Sequence, residues 1–401
     1  ILIPMDNTQK NHLKSYGIIY NHLKNGQNEI KWCLNYMGGS FLVTYDDILY
    51  EKIISQGITC SILKDQETSI LVNQLNAVEN NTEVVTLNKF ARIALYSPSS
   101  ASPWDDAVSL ALRYAEIPFE IIYDQDIING RLIEFDWIHL HHEDFTGQYG
   151  KFYGSARMQS WYQQEVKRTE ASAQQLGFAS TAALKRAVAL NIRNFVIGGG
   201  FLFTMCSGTD SFDIALAAQN VDIQETVFDG TPSDPRAQEK LDYNETFAFK
   251  DFHIIKDPMI YEYSDIDGTD LRTQRQITEK TDQFTLFEFS AKWDVVPTML
   301  TQCHVDVVNG FMGQTTDFHK EFIKPNVLIL GENKAANTAK YIHGEFGQGT
   351  WTFYGGHDPE DYQHLVGDPP TDLNLHPNSP GYRLILNNIL FPAAKKQKRK
   401  T

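Results

Sequence analysis

The stretch Phe201-Leu-Phe-Thr-Met-Cys206-Ser-Gly-Thr-Asp210 sets both the expected fold and the expected chemistry. Its first five residues are typical of a strand buried on both faces. Gly208 permits a tight turn, and residues 211–218 continue as a helix whose N-terminus favours negative charge. A cysteine on such a strand–turn–helix elbow is predicted to be a nucleophile with a favoured thiolate. The alternative interpretation is a buried structural cysteine at a strand end.

Strand and helix patterns alternate on the N-terminal side of this elbow. Apolar runs at 91–96, 119–123 and 135–140 predict strands, and helical patterns follow at about 156–176 and 181–193. Such alternation is typical of parallel sheets covered by helices. We therefore predict an α/β fold with a doubly wound, mostly parallel, flavodoxin-like sheet.

The length predicts more than one structural unit. The 401 residues exceed the roughly 250 that a single core usually serves. Residues 1–89 are predicted to form an N-terminal α/β lobe, and residues 90–401 the main domain. Clusters of Gly, Pro, Asp and Thr between short aromatic runs indicate a β-rich insertion at about 222–316.

Charge and hydropathy narrow the possible partners. The formal net charge of −15 argues against nucleic-acid binding, and the basic residues at 395–400 are predicted to be a solvated tail. No apolar run approaches the roughly 18–20 residues needed to span a membrane. The expected partner is a small-molecule substrate.

The cysteines and the first residue give information on the cellular compartment of the protein. The four cysteines lack CxxC or zinc-ligand spacing, so neither a disulfide scaffold nor a structural zinc site is indicated. The chain begins at Ile1, which fits a cleaved secretory signal or a trimmed chain. Export is the favoured interpretation, and a cytoplasmic location stays open.

A second motif, Tyr354-Gly-Gly-His357-Asp358-Pro-Glu360, places a histidine and carboxylates after another predicted strand. Carboxyl ends of parallel strands share one crevice, so Cys206 and His357 are predicted to meet. His357 would accept the proton, and Glu360, or else Asp358, would orient it. An exposed loop histidine is the alternative interpretation. Other histidines lack this placement and are weaker candidates: His343, His364 and His376.

These two motifs resemble the class I glutamine amidotransferase-like superfamily, over about residues 91–390. The family pattern is Gly-x-Cys-x-Gly at the elbow and His-x-Glu after a late strand. Here Thr204-Met-Cys206-Ser-Gly208 keeps only the second glycine, and Glu360 lies three residues after His357 rather than two. The resemblance implies a thiol hydrolase or amidotransferase that needs no cofactor and attacks an amide or related carbonyl through Cys206, His357 and Glu360.

The resemblance also implies an oxyanion hole and a substrate pocket. The backbone N–H groups of Ser207 and of the Gly147 region are the candidates for the oxyanion hole. Thr209 and Asp210 stand where glutamine hydrolases carry a Gln that holds substrate, so glutamine itself is not implied. Further candidate substrate-binding residues are His141, His142, Glu143 and Asp358.

The whole chain is also similar to proteins labelled asparagine synthetase B. Members of that enzyme class use an N-terminal cysteine and a nucleotide-binding synthetase domain. Here residue 1 is Ile, and the sequence contains no pyrophosphate-binding loop pattern. The motifs therefore do not support that label.

Two other functions fit the same residues. The crevice could bind a small polar ligand or carbohydrate without catalysis, because a fold does not fix a function. His139, His141 and Glu143 could form a metal-dependent hydrolase site, since alternate residues share one face of a strand. The ordinary explanation of these three is a hydrogen-bonded rim of a pocket.

Overall fold

The structure, a computed structural model, describes residues 1–26, 29–98, 106–365 and 367–394. The basic tail at 395–400 lies outside the described residues. The strands are β1 (Leu2–Ile3), β2 (Ile30–Leu34), β3 (Ser40–Leu42), β4 (Glu83–Leu87), β5 (Ile93–Tyr96), β6 (Glu120–Ile122), β7 (Trp137–Leu140), β8 (Phe201–Met205), β9 (Gln283–Leu286), β10 (Val307–Asn309), β11 (Phe318–His319), β12 (Leu328–Asn333), β13 (Thr338–Phe346) and β14 (Gly349–Tyr354).

The α-helices are α1 (His12–Lys24), α2 (Asp47–Ser55), α3 (Asp65–Leu75), α4 (Ala107–Tyr114), α5 (Asp124–Ile128), α6 (Tyr153–Ala156), α7 (Ser160–Gln175), α8 (Thr181–Ile197), α9 (Gly208–Ala217), α10 (Thr226–Asp229), α11 (Asp270–Gln274), α12 (Val295–Leu300) and α13 (Pro380–Leu390). Polar side chains cap several of them. Asp106 accepts N–H groups at the start of α4, Ser180 at α8 and Ser379 at α13. Such caps satisfy the free N–H groups of a first turn and fix where a helix begins.

The N-terminal residues form a separate small sheet. Its strand order is β1-β3-β2-β4, and the pairings are antiparallel. Helix α1 lies against α13 of the main domain. Ile3 and Tyr16 belong to the same apolar cluster as Tyr382 and Leu386 of α13. The small sheet and the main domain therefore share a hydrophobic core.

The large sheet is mixed, so the prediction of a flavodoxin-like, mostly parallel sheet is wrong. Its ten strands run in the order β10-β9-β12-β13-β14-β8-β7-β5-β6, with β11 paired to β13. Pairings among β14, β8, β7, β5 and β6 are parallel. The remaining pairings, on the other side of β14, are antiparallel.

Short connections explain the antiparallel half. A parallel crossover needs a dozen or more residues, whereas β12 and β13 are joined by residues 334–337 and β13 and β14 by 347–348. These links can only form hairpins. The segment predicted as a β-rich insertion supplies β9 and β10, which extend this half of the sheet.

The two faces of the large sheet carry two apolar clusters. Ile93, Leu95 and Phe203 lie in one cluster, whereas Ala94 and Leu202 lie in the other. This division follows from the alternation of side chains along a strand. The sheet is therefore buried on both faces, which explains the continuous apolar runs of its parallel strands.

None of the helices in the described part of the chain combines the length and the apolar character that a membrane crossing requires.

Acid should weaken the fold through His343, which lies buried on β13. Its Nδ1 is 2.9 Å from the Thr352 hydroxyl, and burial lowers its pKa to about 4. The unfolded chain takes up this proton near pH 6.5 and the folded chain only near pH 4, so stability falls as the pH drops between these values.

We expect about 2 kcal/mol of stability to be lost through His343 between about pH 7.5 and about pH 5. Urea unfolding of the wild type and His343→Gln at both pH values measures this loss. His12 and His304, whose pKa values burial also lowers, remain in both proteins and cancel in the comparison. An equal loss in the two proteins would contradict the assignment to His343.

Candidate active site

Three parallel strands end side by side at one edge of the large sheet. Strand β8 lies between β7 and β14. The chain leaves these strands at His141, Cys206 and Gly355. Since carboxyl ends of neighbouring parallel strands open into one crevice, the loops that carry the predicted site residues lie together.

Cys206 occupies the turn between β8 and α9. Its φ of 50° is in the left-handed region, which costs a non-glycine residue about 1–3 kcal/mol and is common at functional sites. Gly208 makes the close packing of this turn possible: a Cβ there would lie 2.3 Å from the carbonyl oxygen of His141, which accepts the Gly208 N–H at 2.7 Å. The elbow is thus strained and held against the end of β7.

The Cys206 thiol is buried and faces backbone donors. The residue is 1% exposed, and the Gln314 N–H donates to Sγ at 3.2 Å. Burial raises the pKa of the thiol to about 11, although the N–H groups of Thr315, Gln314 and Ser207 act in the opposite direction. At neutral pH the loss of solvent outweighs these donors, which favours the neutral thiol over the expected thiolate.

His357 follows β14 and lies among other imidazoles. Its ring stacks on that of His364 with centroids 4.5 Å apart, and it meets the His141 ring edge-on at 4.4 Å. Asp361 lies 2.9 Å from His364 Nδ1 and so fixes the stacked ring. Burial, His142 and His364 hold the pKa of His357 well below its usual range, so the ring is neutral at pH 7.

Residues 311–316 form a segment that closes over this edge of the sheet. The buried Lys340 ammonium donates to the carbonyl groups of Phe311 and Thr316, with 2.7 Å to the latter. The N–H groups of Gly356 and His357 donate to this segment at 2.8 and 2.9 Å. Lys340 therefore holds both ends of the segment, and the His357 loop holds its middle.

Gly313 lies between Cys206 and His357. A Cβ at this position would be 2.9 Å from Cys206 Sγ and 2.9 Å from the backbone nitrogen of His357. The thiol and the start of the histidine loop therefore face each other across one glycine, without room for a larger residue.

The carboxylates predicted to orient His357 have different partners. Glu360 Oε2 lies 2.9 Å from His376 Nδ1. Asp358 is buried and accepts the Thr371 hydroxyl at 2.8 Å and the Glu360 N–H at 2.9 Å. The sequence predicted that Glu360 would contact His357, but the side chain stacked on the His357 ring is that of His364. His364 was a weaker candidate in the sequence.

The predicted metal trio is also rearranged. Glu143 turns towards Tyr123, whose hydroxyl donates to Oε2 at 3.4 Å, and burial raises the Glu143 pKa. His139 and His141 instead lie with Asp106, whose Oδ1 is 3.4 Å from His139 Nε2 and 3.7 Å from His141 Nδ1. Among the described residues, the carboxylate of this group is Asp106 rather than Glu143.

The two predicted oxyanion donors have different surroundings. Ser207 is buried directly after Cys206, and its N–H acts on Sγ. Gly147 has a φ of 79° and packs against Ala182, where a Cβ would lie 2.6 Å from Cα. It lines a cavity of about 240 Å³ together with Tyr149 and Thr181. Of the two, Ser207 is the one placed at the thiol.

Sequence reasoning missed several residues at this edge. Asp106 was recognisable only as a helix cap, and Gln314 and Gly313 have no local motif. Asp210 was noted only as a departure from the family pattern, yet its Oδ1 accepts the Thr315 hydroxyl at 2.8 Å and burial raises its pKa to about 7. Contacts over about 100 positions in the chain, such as Gln314 with Cys206, leave no spacing that could be read from the sequence.

The fold and the site together define a mixed α/β protein with a cysteine elbow beside a histidine cluster. No family model and no curated protein matches the chain. Cytoplasmic proteins STM3548 of Salmonella typhimurium and STM1381 of Salmonella typhimurium LT2 are each 11% identical over 76% of this chain and 100% of their own, with TM-scores of 0.36 and 0.34.

A further structural match is Gan42B, a GH42 beta-galactosidase, which is 10% identical over 67% of this chain and 28% of its own, with a TM-score of 0.25. Similarity at this level transfers neither fold nor function. The functional assignment therefore depends on the geometry of the site.

Proposed function

We propose that the protein is a cysteine-dependent hydrolase or amidotransferase-type enzyme that attacks the carbonyl carbon of a small amide or related substrate. The observation that carries the proposal is the Cys206 elbow, whose strained turn holds Sγ at 3.2 Å from the Gln314 N–H and across Gly313 from the His357 loop. A cysteine with only a structural role would need neither a left-handed backbone conformation nor several backbone N–H donors around its thiol.

The protonation states define the first step. With a raised pKa at Cys206 and a lowered pKa at His357, the resting pair is a neutral thiol and a neutral imidazole. As Sγ bonds to the carbonyl carbon, the thiol proton passes to His357 and the carbonyl electron pair moves to oxygen. The Ser207 N–H is the proposed donor to that oxyanion.

The second step releases the leaving group. The oxyanion collapses, the C–N bond breaks, and the His357 proton passes to the departing amine, which leaves a thioester on Cys206. Water then attacks the thioester with His357 as base, the C–S bond breaks, and His357 returns the proton to the Cys206 sulfur. In the amidotransferase variant, the ammonia released earlier passes to an acceptor. No metal or organic cofactor is required by this sequence of steps.

Covalent trapping tests the proposal. The protein is mixed with a panel of activated amides and esters, and intact-mass and peptide mass spectrometry locate any acyl group. We expect acylation of Cys206 and none in Cys206→Ala, while Cys60→Ser, which removes a half-buried cysteine outside the site, is acylated like the wild type.

The same experiment separates the alternative of a non-catalytic binding protein. In that case compounds from the panel would bind, as thermal shift or calorimetry can show, without any mass added at Cys206. Acylation at Cys60 or Cys303 instead of Cys206 would likewise contradict the proposal.

A further inference from the structure

Three imidazoles converge beside Cys206: those of His141, His142 and His357. Each offers one ring nitrogen, and these three nitrogens lie within 4.8 Å of one another. The rings of His141 and His357 meet edge-on at 4.4 Å, and those of His142 and His357 are nearly parallel at 5.7 Å. Three ligand-type atoms from two loops are therefore already directed at one volume.

The neighbours of Nδ1 determine which nitrogen of His141 is available. His141 Nδ1 lies 3.7 Å from Asp106 Oδ1 and 3.4 Å from His139 Nε2. A carboxylate oxygen can only accept, so a His141 ring with one proton carries it on Nδ1, towards Asp106. His141 Nε2 is left with a free lone pair.

The surroundings of that lone pair point to a ligand. His141 is 2% exposed, and its Nε2 has no hydrogen-bond partner among the described residues. A buried imidazole nitrogen without a partner is costly unless something binds it. On the other side of the ring, Asp106 Oδ1 lies 3.7 Å from Nδ1. A carboxylate behind a histidine whose far nitrogen is free is the usual arrangement around metal-binding histidines.

We propose that His141, His142 and His357 bind one divalent transition-metal ion of the zinc class, with Asp106 as the outer carboxylate. Imidazole ligands favour zinc, copper, nickel or iron over calcium and magnesium. Zn–N bonds are about 2.0–2.1 Å long, so three nitrogens within 4.8 Å of one another are close enough for one ion to bind all three. Three protein ligands leave a fourth position for water.

Metal binding would regulate the thiol reaction. The metal takes the His357 lone pair that accepts the Cys206 proton in the proposed function, so an occupied site cannot deprotonate the thiol through His357. Binding itself depends only on the histidine cluster, whereas this inhibition rests on the proposed function. Zinc is thus expected to slow acylation of Cys206.

Calorimetric titration of the full chain with Zn²⁺, after treatment with a chelator, tests the site. We expect one ion per chain, a loss of affinity of over about 100-fold in His141→Asn, and about 10–100-fold in Asp106→Asn. The second variant keeps a good helix cap for α4 and so remains informative if the first fails to fold. His253→Asn, at an exposed histidine paired with Asp265, should bind like the wild type.

Two outcomes overturn the metal site: no stoichiometric Zn²⁺ binding by the wild type, or binding that neither His141→Asn nor Asp106→Asn weakens. Cys206→Ala should bind Zn²⁺ with unchanged affinity, and a large loss there would show a thiolate ligand in place of the three-histidine set. Co²⁺ titration, read by visible absorption, reports the coordination directly.

Acylation separates this inference from the proposed function. If Cys206 is acylated at the same rate with and without Zn²⁺, the inhibition is wrong although the thiol chemistry stands. If Cys206 is never acylated but Zn²⁺ binds at the histidines, the proposed function and the inhibition fail while the metal site stands.

Discussion

Replacing Arg383 with Met should lower the free energy of unfolding by about 3 kcal/mol, because buried acceptors lose their donors. Arg383 is fully buried on α13. Its guanidinium donates to the Met5 carbonyl at 2.6 Å, to the Gly38 carbonyl and to the Tyr16 hydroxyl at 3.1 Å. Methionine fills much of the volume but can satisfy none of these oxygens.

The loss should be concentrated where the N-terminal lobe meets α13. Hydrogen exchange is expected to speed up around Met5 and Gly38 more than in the parallel strands β7 and β8, because Arg383 is their shared donor. Urea unfolding gives the overall loss. Arg113→Met, at an exposed arginine of α4, is the matched control and should change stability by less than about 0.5 kcal/mol. Equal effects of the two substitutions would contradict the role of Arg383.

The elbow could be predicted because its signals are local. An apolar run sets β8 at Phe201–Met205, and Gly208 is required where the chain touches the end of β7. Each of these features is decided by residues within one turn or one strand of the site.

The apolar runs that predict the strands do not predict whether neighbouring strands run parallel or antiparallel. A buried apolar strand has the same composition in a parallel and in an antiparallel pairing. Only the connection length distinguishes them, and the links between β12, β13 and β14 are too short for the crossovers of a parallel sheet. Connection length therefore determines whether neighbouring strands pair parallel or antiparallel, more than strand composition does.

The polar partners of the site depend on tertiary contacts. Glu360 is close to His357 in sequence, yet its carboxylate lies against His376, while His364 reaches the His357 ring by stacking. Asp106 precedes His141 by 35 positions and joins it because α4 begins over the end of β7. Sequence proximity thus identified the loop but not the side chains that face one another.

Gly313→Ala should slow acylation of Cys206 by about 100-fold, which is the typical cost of displacing a reacting group by about 1 Å. The added methyl would lie 2.9 Å from both Cys206 Sγ and the His357 nitrogen, closer than ordinary contact allows. Because the His357 nitrogen is backbone and its N–H donates to Met312 at 2.9 Å, the thiol is the group that must move. Its contact with the Gln314 N–H would then lengthen.

The effect of Gly313→Ala on the reaction should exceed its effect on the fold. Overpacking of this kind costs about 1–3 kcal/mol, which leaves a domain of ordinary stability folded. Gly198→Ala is the matched control, since its Cβ would meet only the Asn194 and Phe195 carbonyl oxygens, at 3.4 and 3.5 Å. Acylation rates measured by mass spectrometry give the effect on the reaction, and urea unfolding of the same variants gives the effect on stability. If Gly313→Ala left the acylation rate of Cys206 unchanged, the narrow gap between the thiol and the histidine loop would not control the reactivity of the thiol.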